Sequence, residues 1–258
     1  MTTKRIRQTI RAREAIPGGT RLSLELRAED LGEAAVPGLL LLPDTPQAVP
    51  AALLLHGYTS HKEMMSDTIG GALLAAGIAS LAVDLPLHGE RSTGPGRSAM
   101  QPLELVRNWK LALAECAIAL RYLAARPDID RERLAIVGYS LGSFLGVAVA
   151  ARERAVRAVV LAAGGDLPAN MPFAGMVRAV VDPVAAAGKL DGTPLLMVNG
   201  RRDRTVTPDQ AQRLFDAARE PKQIRWWDAG HRLPAAAIGE AAGWLAEQLG
   251  VLGRRRTG

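Results

Sequence analysis

The pentapeptide Gly-Tyr-Ser-Leu-Gly at residues 138–142 has the residue types and the spacing of a nucleophilic serine. It follows the apolar run Leu-Ala-Ile-Val, which is typical of a buried strand, and it precedes an apolar helical pattern. A sharp strand-to-helix turn holds such a serine in a strained conformation with its hydroxyl exposed, and the flanking glycines avoid clashes. The pattern predicts that Ser140 is a catalytic nucleophile.

A serine hydroxyl is a poor nucleophile near neutral pH, so it needs a histidine base that a carboxylate orients. His231 stands in Asp-Ala-Gly-His, just after the last strand-like run of the chain. Asp203 stands in Gly-Arg-Arg-Asp-Arg-Thr-Val after the preceding run, and Asp166 follows an earlier one. We therefore predict that His231 is the base, with Asp203 and Asp166 as rival carboxylates.

Two further histidines lie in the stretch His-Gly-Tyr-Thr-Ser-His-Lys-Glu, which follows an apolar run. Zinc helices place two histidines at i and i+4, whereas His56 and His61 are five positions apart with Gly57 between them. We therefore expect no metal here, a structural role for His56, and either a solvated or a pocket-facing position for His61. Asp84, in Asp-Leu-Pro-Leu-His-Gly-Glu-Arg, is expected to fix a turn beside an ion pair between Glu90 and Arg91.

Short apolar runs that alternate with helical patterns predict an α/β fold with a mostly parallel, eight-stranded sheet and helices on both faces. The first two runs have no helix between them and predict an antiparallel start. The predicted strands are Leu22–Leu26, Gly38–Leu42, Ala51–Leu55, Ala79–Val83, Leu134–Val137, Ala158–Ala162, Pro194–Val198 and Gln223–Trp227.

Helical patterns fill the intervals between the later strands, at about Met64–Ala76, Met100–Ala125, Leu141–Arg152, Pro208–Ala218 and Pro234–Leu249. The proline-containing segment 166–192 is longer than an ordinary connection, and we expect it to form a small lid of one or two short helices. No repeat or low-complexity linker divides the chain. We therefore predict a single domain over residues 1–258.

Composition excludes several other classes of protein. With 258 residues, 48% hydrophobic and 22% charged, the chain can bury a large core. The net charge of +6 is concentrated in two basic ends, residues 4–13 and 254–256, which we expect to be solvated tails. Only 4% of residues are aromatic and none interleave with the basic runs, so we expect no nucleic-acid partner.

The single cysteine, Cys116, cannot form an intrachain disulfide and lies in a helical pattern, so we expect it to be a buried apolar residue. The first residues lack the apolar core of a signal peptide, and no apolar stretch is long enough for a membrane span. We expect a cytoplasmic protein with no membrane partner.

Four motifs of this chain resemble those of the α/β-hydrolases, in the dienelactone-hydrolase-like and prolyl-oligopeptidase-like serine esterase group: HGYTS, DLPLHGER, GYSLG, and GRRDRTV paired with DAGH. The resemblance extends from about residue 20 to residue 250. It includes the chain order Ser140, Asp203, His231, and its pattern favours Asp203 over Asp166. Dienelactone hydrolases proper use a cysteine nucleophile, so the serine here favours general ester chemistry.

The resemblance implies an oxyanion hole made by the backbone N–H groups of Tyr58 and Leu141. It implies that a small-molecule carboxylic ester is cleaved through an acyl-enzyme, with no metal or organic cofactor. Within the insertion, Met171, Phe173 and Met176 are the expected substrate-binding residues, although they could equally be the core of a short helix.

Two other classes of function remain open. A peptidase, an amidase or a thioesterase could share this fold. Peptidases of the prolyl-oligopeptidase type usually carry a large N-terminal domain, whereas about 20 residues precede the first predicted strand. A non-catalytic ligand-binding protein usually lacks a triad residue, and all three are present here. The natural substrate and the oligomeric state are not predicted.

Overall fold

The computed structural model describes residues 6–29, 35–92, 102–168 and 174–251, with side chains throughout except at 102–106, 174 and 176. Within these residues, nine strands form one sheet in the order β1-β2-β3-β5-β4-β6-β7-β8-β9. The strands are β1 Ile6–Ile16, β2 Gly19–Ala28, β3 Val36–Pro43, β4 Val49–Leu55, β5 Ala79–Val83, β6 Ile129–Tyr139, β7 Val156–Ala162, β8 Leu195–Gly200 and β9 Lys222–Trp227.

The sheet is mostly parallel, as predicted. Strand β2 pairs antiparallel with β1 and with β3, and β3 pairs antiparallel with β5. All pairs from β5 through β4, β6, β7 and β8 to β9 are parallel. The fold class and the antiparallel start are therefore confirmed, and all eight predicted strands lie in the sheet.

The predicted number of strands is wrong, because the sheet has a ninth strand in a segment that we expected to be a solvated basic tail. Strand β1 pairs with β2 from Ile6↔Ala28 to Ile16↔Gly19, and most of its side chains are exposed. An exposed edge strand is held by backbone hydrogen bonds and shows little apolar alternation. Residues 1–5 and the C-terminal basic run at 254–256 lie outside the described residues.

Helices cover both faces of the sheet. They are α1 Lys62–Met65, α2 Gly71–Ala75, α3 Pro102–Ala124, α4 Leu141–Ala150, α5 Ala174–Arg178, α6 Pro183–Ala187, α7 Pro208–Ala217 and α8 Ala235–Gln248. A π-helical turn, Ser66–Gly70, joins α1 to α2, and a short 3-10 helix lies at Gly89–Arg91. Helices α5 and α6 lie in the insertion, where one or two short helices were predicted.

The central strands are buried on both faces, which explains their continuous apolar runs. In β4, Leu53 and Leu55 belong to a core that includes α3 and α4, whereas Ala52 and Leu54 belong to a second core that includes the π-helical turn and α8. Cys116 is fully buried in the first core, as expected. In the described part of the chain, no helix is both long enough and apolar enough to span a membrane.

Candidate active site

Ser140 lies between β6 and α4 in a backbone conformation that is rare for any residue other than glycine, with φ of 52° and ψ of −113°. The two glycines of the motif allow the close packing that this turn needs. A Cβ atom added at Gly142 would lie 2.0 Å from the Leu55 carbonyl oxygen, and one added at Gly138 would lie 2.2 Å from the Gly142 oxygen. The strand-to-helix turn predicted around Ser140 is present.

The structure brings Ser140, His231 and Asp203 together in one chain of hydrogen bonds. The Ser140 Oγ atom lies 2.9 Å from His231 Nε2, and His231 Nδ1 lies 2.8 Å from Asp203 Oδ2. A carboxylate can only accept, so Nδ1 carries the proton and Nε2 is the acceptor that faces the serine hydroxyl. This arrangement can remove a proton from Ser140.

The carboxylate of Asp203 is buried and held in place by its own loop. Its Oδ1 atom accepts hydrogen bonds from the backbone N–H groups of Thr205, at 2.8 Å, and Val206, at 3.1 Å. These two bonds leave Oδ2 to face His231.

The loops that carry Asp203 and His231 are joined to each other. The Arg201 N–H donates to the Trp227 oxygen at 2.8 Å, and the Arg202 N–H donates to the Ala229 oxygen at 2.9 Å. A Cβ atom at Gly200 would lie 2.3 Å from the Gly230 oxygen, so this approach requires glycine. Asp203 and His231 are therefore positioned as one unit.

The rival carboxylate, Asp166, is engaged elsewhere. Its oxygens lie 2.9 and 3.0 Å from Arg178 Nη2 and 3.1 Å from Arg213 Nε. It also accepts a hydrogen bond from the Leu167 N–H. These contacts place Asp166 in an ion cluster between the insertion and α7, and the carboxylate on His231 is that of Asp203.

Tyr139 was not predicted from the sequence, yet it fixes the position of the histidine loop. Its hydroxyl donates to the His231 carbonyl oxygen at 2.7 Å and accepts from the Leu233 N–H at 3.0 Å. The rings of Tyr139 and His231 also meet edge to face, with centroids 6.1 Å apart. Tyr139 thus ties the serine turn to the loop that carries His231.

His56 supports the loop after β4 and joins it to the loop after β5. It is fully buried, its Nδ1 donates to the Gly57 oxygen at 2.8 Å, and its Nε2 accepts from the Leu85 N–H at 3.0 Å. Burial lowers the pKa of His56 to about 4, so the ring is neutral. The structural role expected for His56 agrees with this geometry.

The loop after β4 also lies against Ser140. A Cβ atom at Gly57 would lie 3.4 Å from the Ser140 Cβ, and Tyr58 is the next residue along the chain. Leu141 begins α4 directly after Ser140. The backbone N–H groups of Tyr58 and Leu141 thus belong to segments on two sides of the serine, and their part in an oxyanion hole remains a prediction.

Asp84 fixes a turn, as expected, but through a partner that the sequence did not indicate. It accepts from the Lys62 backbone N–H and from Lys62 Nζ, both at 2.9 Å, and from the Glu90 N–H at 3.0 Å. Lys62 Nζ also lies 2.8 Å from Glu63 and 2.7 Å from Glu90. Burial opposes the charge on Lys62, but these carboxylates outweigh it and raise the pKa of the amine.

The predicted ion pair between Glu90 and Arg91 is wrong, because each residue has another partner. Glu90 pairs with Lys62 and with Arg11 of β1. Arg91 forms a bidentate pair with the buried Glu115 of α3, with both N···O distances at 2.7 Å. These pairs tie the loop after β5 to β1 and α3.

A groove of about 1000 Å³ opens beside Ser140 and His231. Its other described lining residues come from 57–72, from Tyr139 and Thr205, and from 232–239. Of the predicted pocket residues, Met171 and Phe173 lie outside the described residues, as does the side chain of Met176. Within the described residues, no group of three or more His, Cys, Asp or Glu side chains is placed to hold a metal.

The family model described as "Alpha/beta hydrolase family" matches residues 52–248, which is more than half of the chain. The chain belongs to the alpha/beta hydrolase family. It is 24% identical to esterase YjfP of Escherichia coli (strain K12) over 258 aligned residues, which cover 88% of this chain and all (100%) of that protein.

Two solved structures share the fold of this alpha/beta hydrolase. A cold-adapted esterase from an Arctic intertidal metagenomic library, bound to PEG, matches with a TM-score of 0.74 and 22% identity, over 92% of this chain and 97% of that chain. Acetyl xylan esterase 1 from Thermoanaerobacterium sp. JW/SL YS485 matches with a TM-score of 0.76 and 19% identity, over 96% of this chain and 89% of that chain.

The role of Tyr139 predicts a selective loss of serine reactivity. In Tyr139→Phe, the His231 carbonyl and the Leu233 N–H lose their shared partner, so the imidazole is held less well. We expect phosphonylation of Ser140 by a fluorophosphonate to slow by about 10- to 100-fold, since misplacement of a catalytic group by about 1 Å costs that much.

Tyr122→Phe is the matched control, because the Tyr122 hydroxyl bonds to Gln8 and Arg126, away from the triad. It should label at the rate of the unmodified protein. Equal labelling rates for the two variants, with both folded by circular dichroism, would refute a positioning role for Tyr139.

The buried, neutral state of His56 predicts a pH-dependent stability. Its pKa falls from 6.5 to about 4 on folding, so between these pH values the unfolded chain binds a proton that the folded protein does not. Stability is therefore fully present above pH 6.5 and is lost as the pH falls. We expect His56 to account for a loss of about 2 kcal/mol in the free energy of unfolding between pH 7.5 and pH 5.

Urea unfolding at the two pH values tests this expectation. His56→Gln should be less stable than the unmodified protein at pH 7.5 by about 1 to 3 kcal/mol, because it loses a buried hydrogen bond, and the gap should shrink at pH 5. His61→Gln keeps His56 and should keep the pH dependence. A constant gap for His56→Gln would contradict the assignment.

Proposed function

We propose that the protein hydrolyses carboxylic esters through a Ser140–His231–Asp203 triad and an acyl-enzyme intermediate. The observation that carries the proposal is the continuous hydrogen-bond chain from the serine hydroxyl through the imidazole to the buried carboxylate, with both links under 3.0 Å. The names of the relative and of the two structural neighbours, all esterases, favour esters over other acyl substrates.

In the first half of the reaction, His231 Nε2 takes the proton of the Ser140 hydroxyl while Oγ bonds to the ester carbonyl carbon. The Asp203 carboxylate holds the Nδ1–H tautomer and stabilises the imidazolium that forms. The carbonyl oxygen becomes an anion. Collapse of this tetrahedral intermediate breaks the bond to the alcohol oxygen, which takes the proton from His231 and leaves.

In the second half, water reacts with the acyl-enzyme in the same way. His231 accepts a proton from the water as its oxygen bonds to the acyl carbon, and the acid leaves when Ser140 Oγ regains the proton. Every proton that is removed is returned, so the triad needs no other reactant than water and ester.

The negative oxygen formed in each half needs donors that already point toward it. We assign this role to the backbone N–H groups of Tyr58 and Leu141. The N–H of Leu141 also lies at the first residue of the ten-residue helix α4, where the helix dipole favours negative charge. Because both donors are main-chain groups, this role does not depend on the side-chain types at the two positions.

The experiment that tests the proposal is intact-mass measurement after incubation with a fluorophosphonate probe. We expect one adduct on the unmodified protein and none on Ser140→Ala or His231→Ala. The same samples should hydrolyse a short p-nitrophenyl ester only where they label. A folded, unmodified protein that gains no adduct would contradict the proposal and would favour a non-catalytic, ligand-binding role.

The identity of the acid is tested separately with Asp203→Asn. An asparagine keeps the shape of the side chain but cannot stabilise the imidazolium, and it favours the wrong tautomer. We expect kcat to fall by about 10⁴-fold, as for the equivalent change in serine proteases.

Asp166→Asn is the matched control for this substitution, because it removes the charge of the rival carboxylate. It should retain activity within about tenfold, since its partners are Arg178 and Arg213. A larger loss in Asp166→Asn than in Asp203→Asn would transfer the role to Asp166.

A further inference from the structure

The groove beside the triad has two walls of different origin. One wall comes from α1, the π-helical turn and α2, and contributes Met64, Met65, Ile69 and Ala72. The other follows the catalytic histidine into α8 and contributes Leu233, Ala235 and Ile238. All of these side chains are apolar, whereas the charged Asp67 and Arg232, which also line the groove, are exposed.

Polar residues lie mainly at the outer edge of the groove. Asp67 and Thr68 are exposed, and His61 pairs with Glu63 at 2.8 Å on the same side. The buried lining residues are apolar: Met65 and Ile69 are 3% and 5% exposed, and Leu233 is 7% exposed. A polar chain that entered this inner part would lose hydrogen bonds to water without replacement, which is unfavourable.

A small second cavity lies directly behind the groove. It has a volume of about 20 Å³ and an entirely apolar lining, from strands β6, β7 and β8 and from helix α8. Ile69, Leu233 and Ile238 line both this cavity and the groove. These three side chains therefore border both spaces, and we refer to them as the partition.

We propose that the groove binds the apolar, unbranched alkyl arm of the ester, and that the partition of Ile69, Leu233 and Ile238 sets the length of arm that fits. This inference rests on the proposed esterase function and names the substrate class of the same site. The arm belongs to either the acid part or the alcohol part of the ester, and the apolar walls of the groove bind it in the same way in both cases. Met64 and Met65 in the first wall suit a flexible chain, because methionine side chains adapt to its shape.

The partition makes the proposal testable at Ile238. Replacement by alanine removes the side chain beyond Cβ and joins the groove to the cavity behind it, whereas replacement by phenylalanine fills the inner end. The position is partly exposed and lies on the first turns of α8, so neither change alters the triad directly.

The measurement is kcat/KM over two series of esters. The first joins p-nitrophenol to straight-chain acids of increasing length, and the second joins acetate to straight-chain alcohols of increasing length. Each buried methylene contributes about fourfold to kcat/KM until the arm reaches the partition. We expect such a rise and a clear limit in one of the two series, which identifies the arm.

For Ile238→Ala, we expect the limit in that series to move to longer chains. The first ester beyond the original limit should then exceed the ester at that limit by about fourfold in kcat/KM. For Ile238→Phe, the limit should move to shorter chains. Ile224→Ala is the matched control, because Ile224 has similar burial but packs against the core on the opposite face of the sheet. Its limit should not change.

Two results would overturn the proposal. One is an unchanged limit in both series for both Ile238 variants, in protein that still gains the fluorophosphonate adduct. The other is a strong preference of the unmodified protein for the acetate of a sugar over the acetate of any alkyl alcohol. If the proposed esterase function itself is wrong, the outcome differs from both of these results, because the unmodified protein would then gain no adduct and hydrolyse no ester.

Discussion

The backbone of Ser140 is the constraint on which the rest of the site depends. A non-glycine residue in this conformation costs about 1 to 3 kcal/mol and persists only where its surroundings hold it there. The Ser140 N–H donates to the Ala162 oxygen at 2.9 Å, and the Ser140 oxygen accepts from the N–H of Ser143 at 2.8 Å and from its hydroxyl at 2.6 Å. Strand β7 and helix α4 therefore hold the serine from both sides.

The strain is not confined to the nucleophile. Across the described ranges, the other non-glycine residues with positive φ are Thr59, Leu87 and Ala163. They lie in the loops that follow β4, β5 and β7. In the sheet, β4 and β7 are the neighbours of β6, and β5 is the next strand beyond β4. The carboxyl ends of parallel strands meet at one edge of a sheet, so these loops surround the same site. The stable parallel core allows this edge to retain conformations that an isolated loop would not adopt.

The sequence predicted the features that depend on neighbours in the chain. The serine turn, eight of the nine strands and the chain order of Ser140, Asp203 and His231 are all visible in short patterns. Strand β1 was missed because an exposed edge strand carries charges like those of a solvated tail. Tyr139 and Lys62 were missed because their partners, at His231 and Asp84, are distant in sequence. The walls of the groove were missed because apolar residues at helical spacing have the same pattern whether they face a core or a cavity.

The buried pair of Lys62 and Asp84 shows how such a distant contact acts on the site. Removing two charges from water is costly, and a buried pair adds little net stability compared with apolar residues of the same size. The pair instead fixes the position of Lys62, because Asp84 binds both its backbone and its side chain. The loop from His56 to Lys62 is thus fixed at one end by the imidazole of His56 and at the other by Asp84. Tyr58 lies between these two anchors, so the loop that carries its backbone N–H is restrained beside Ser140.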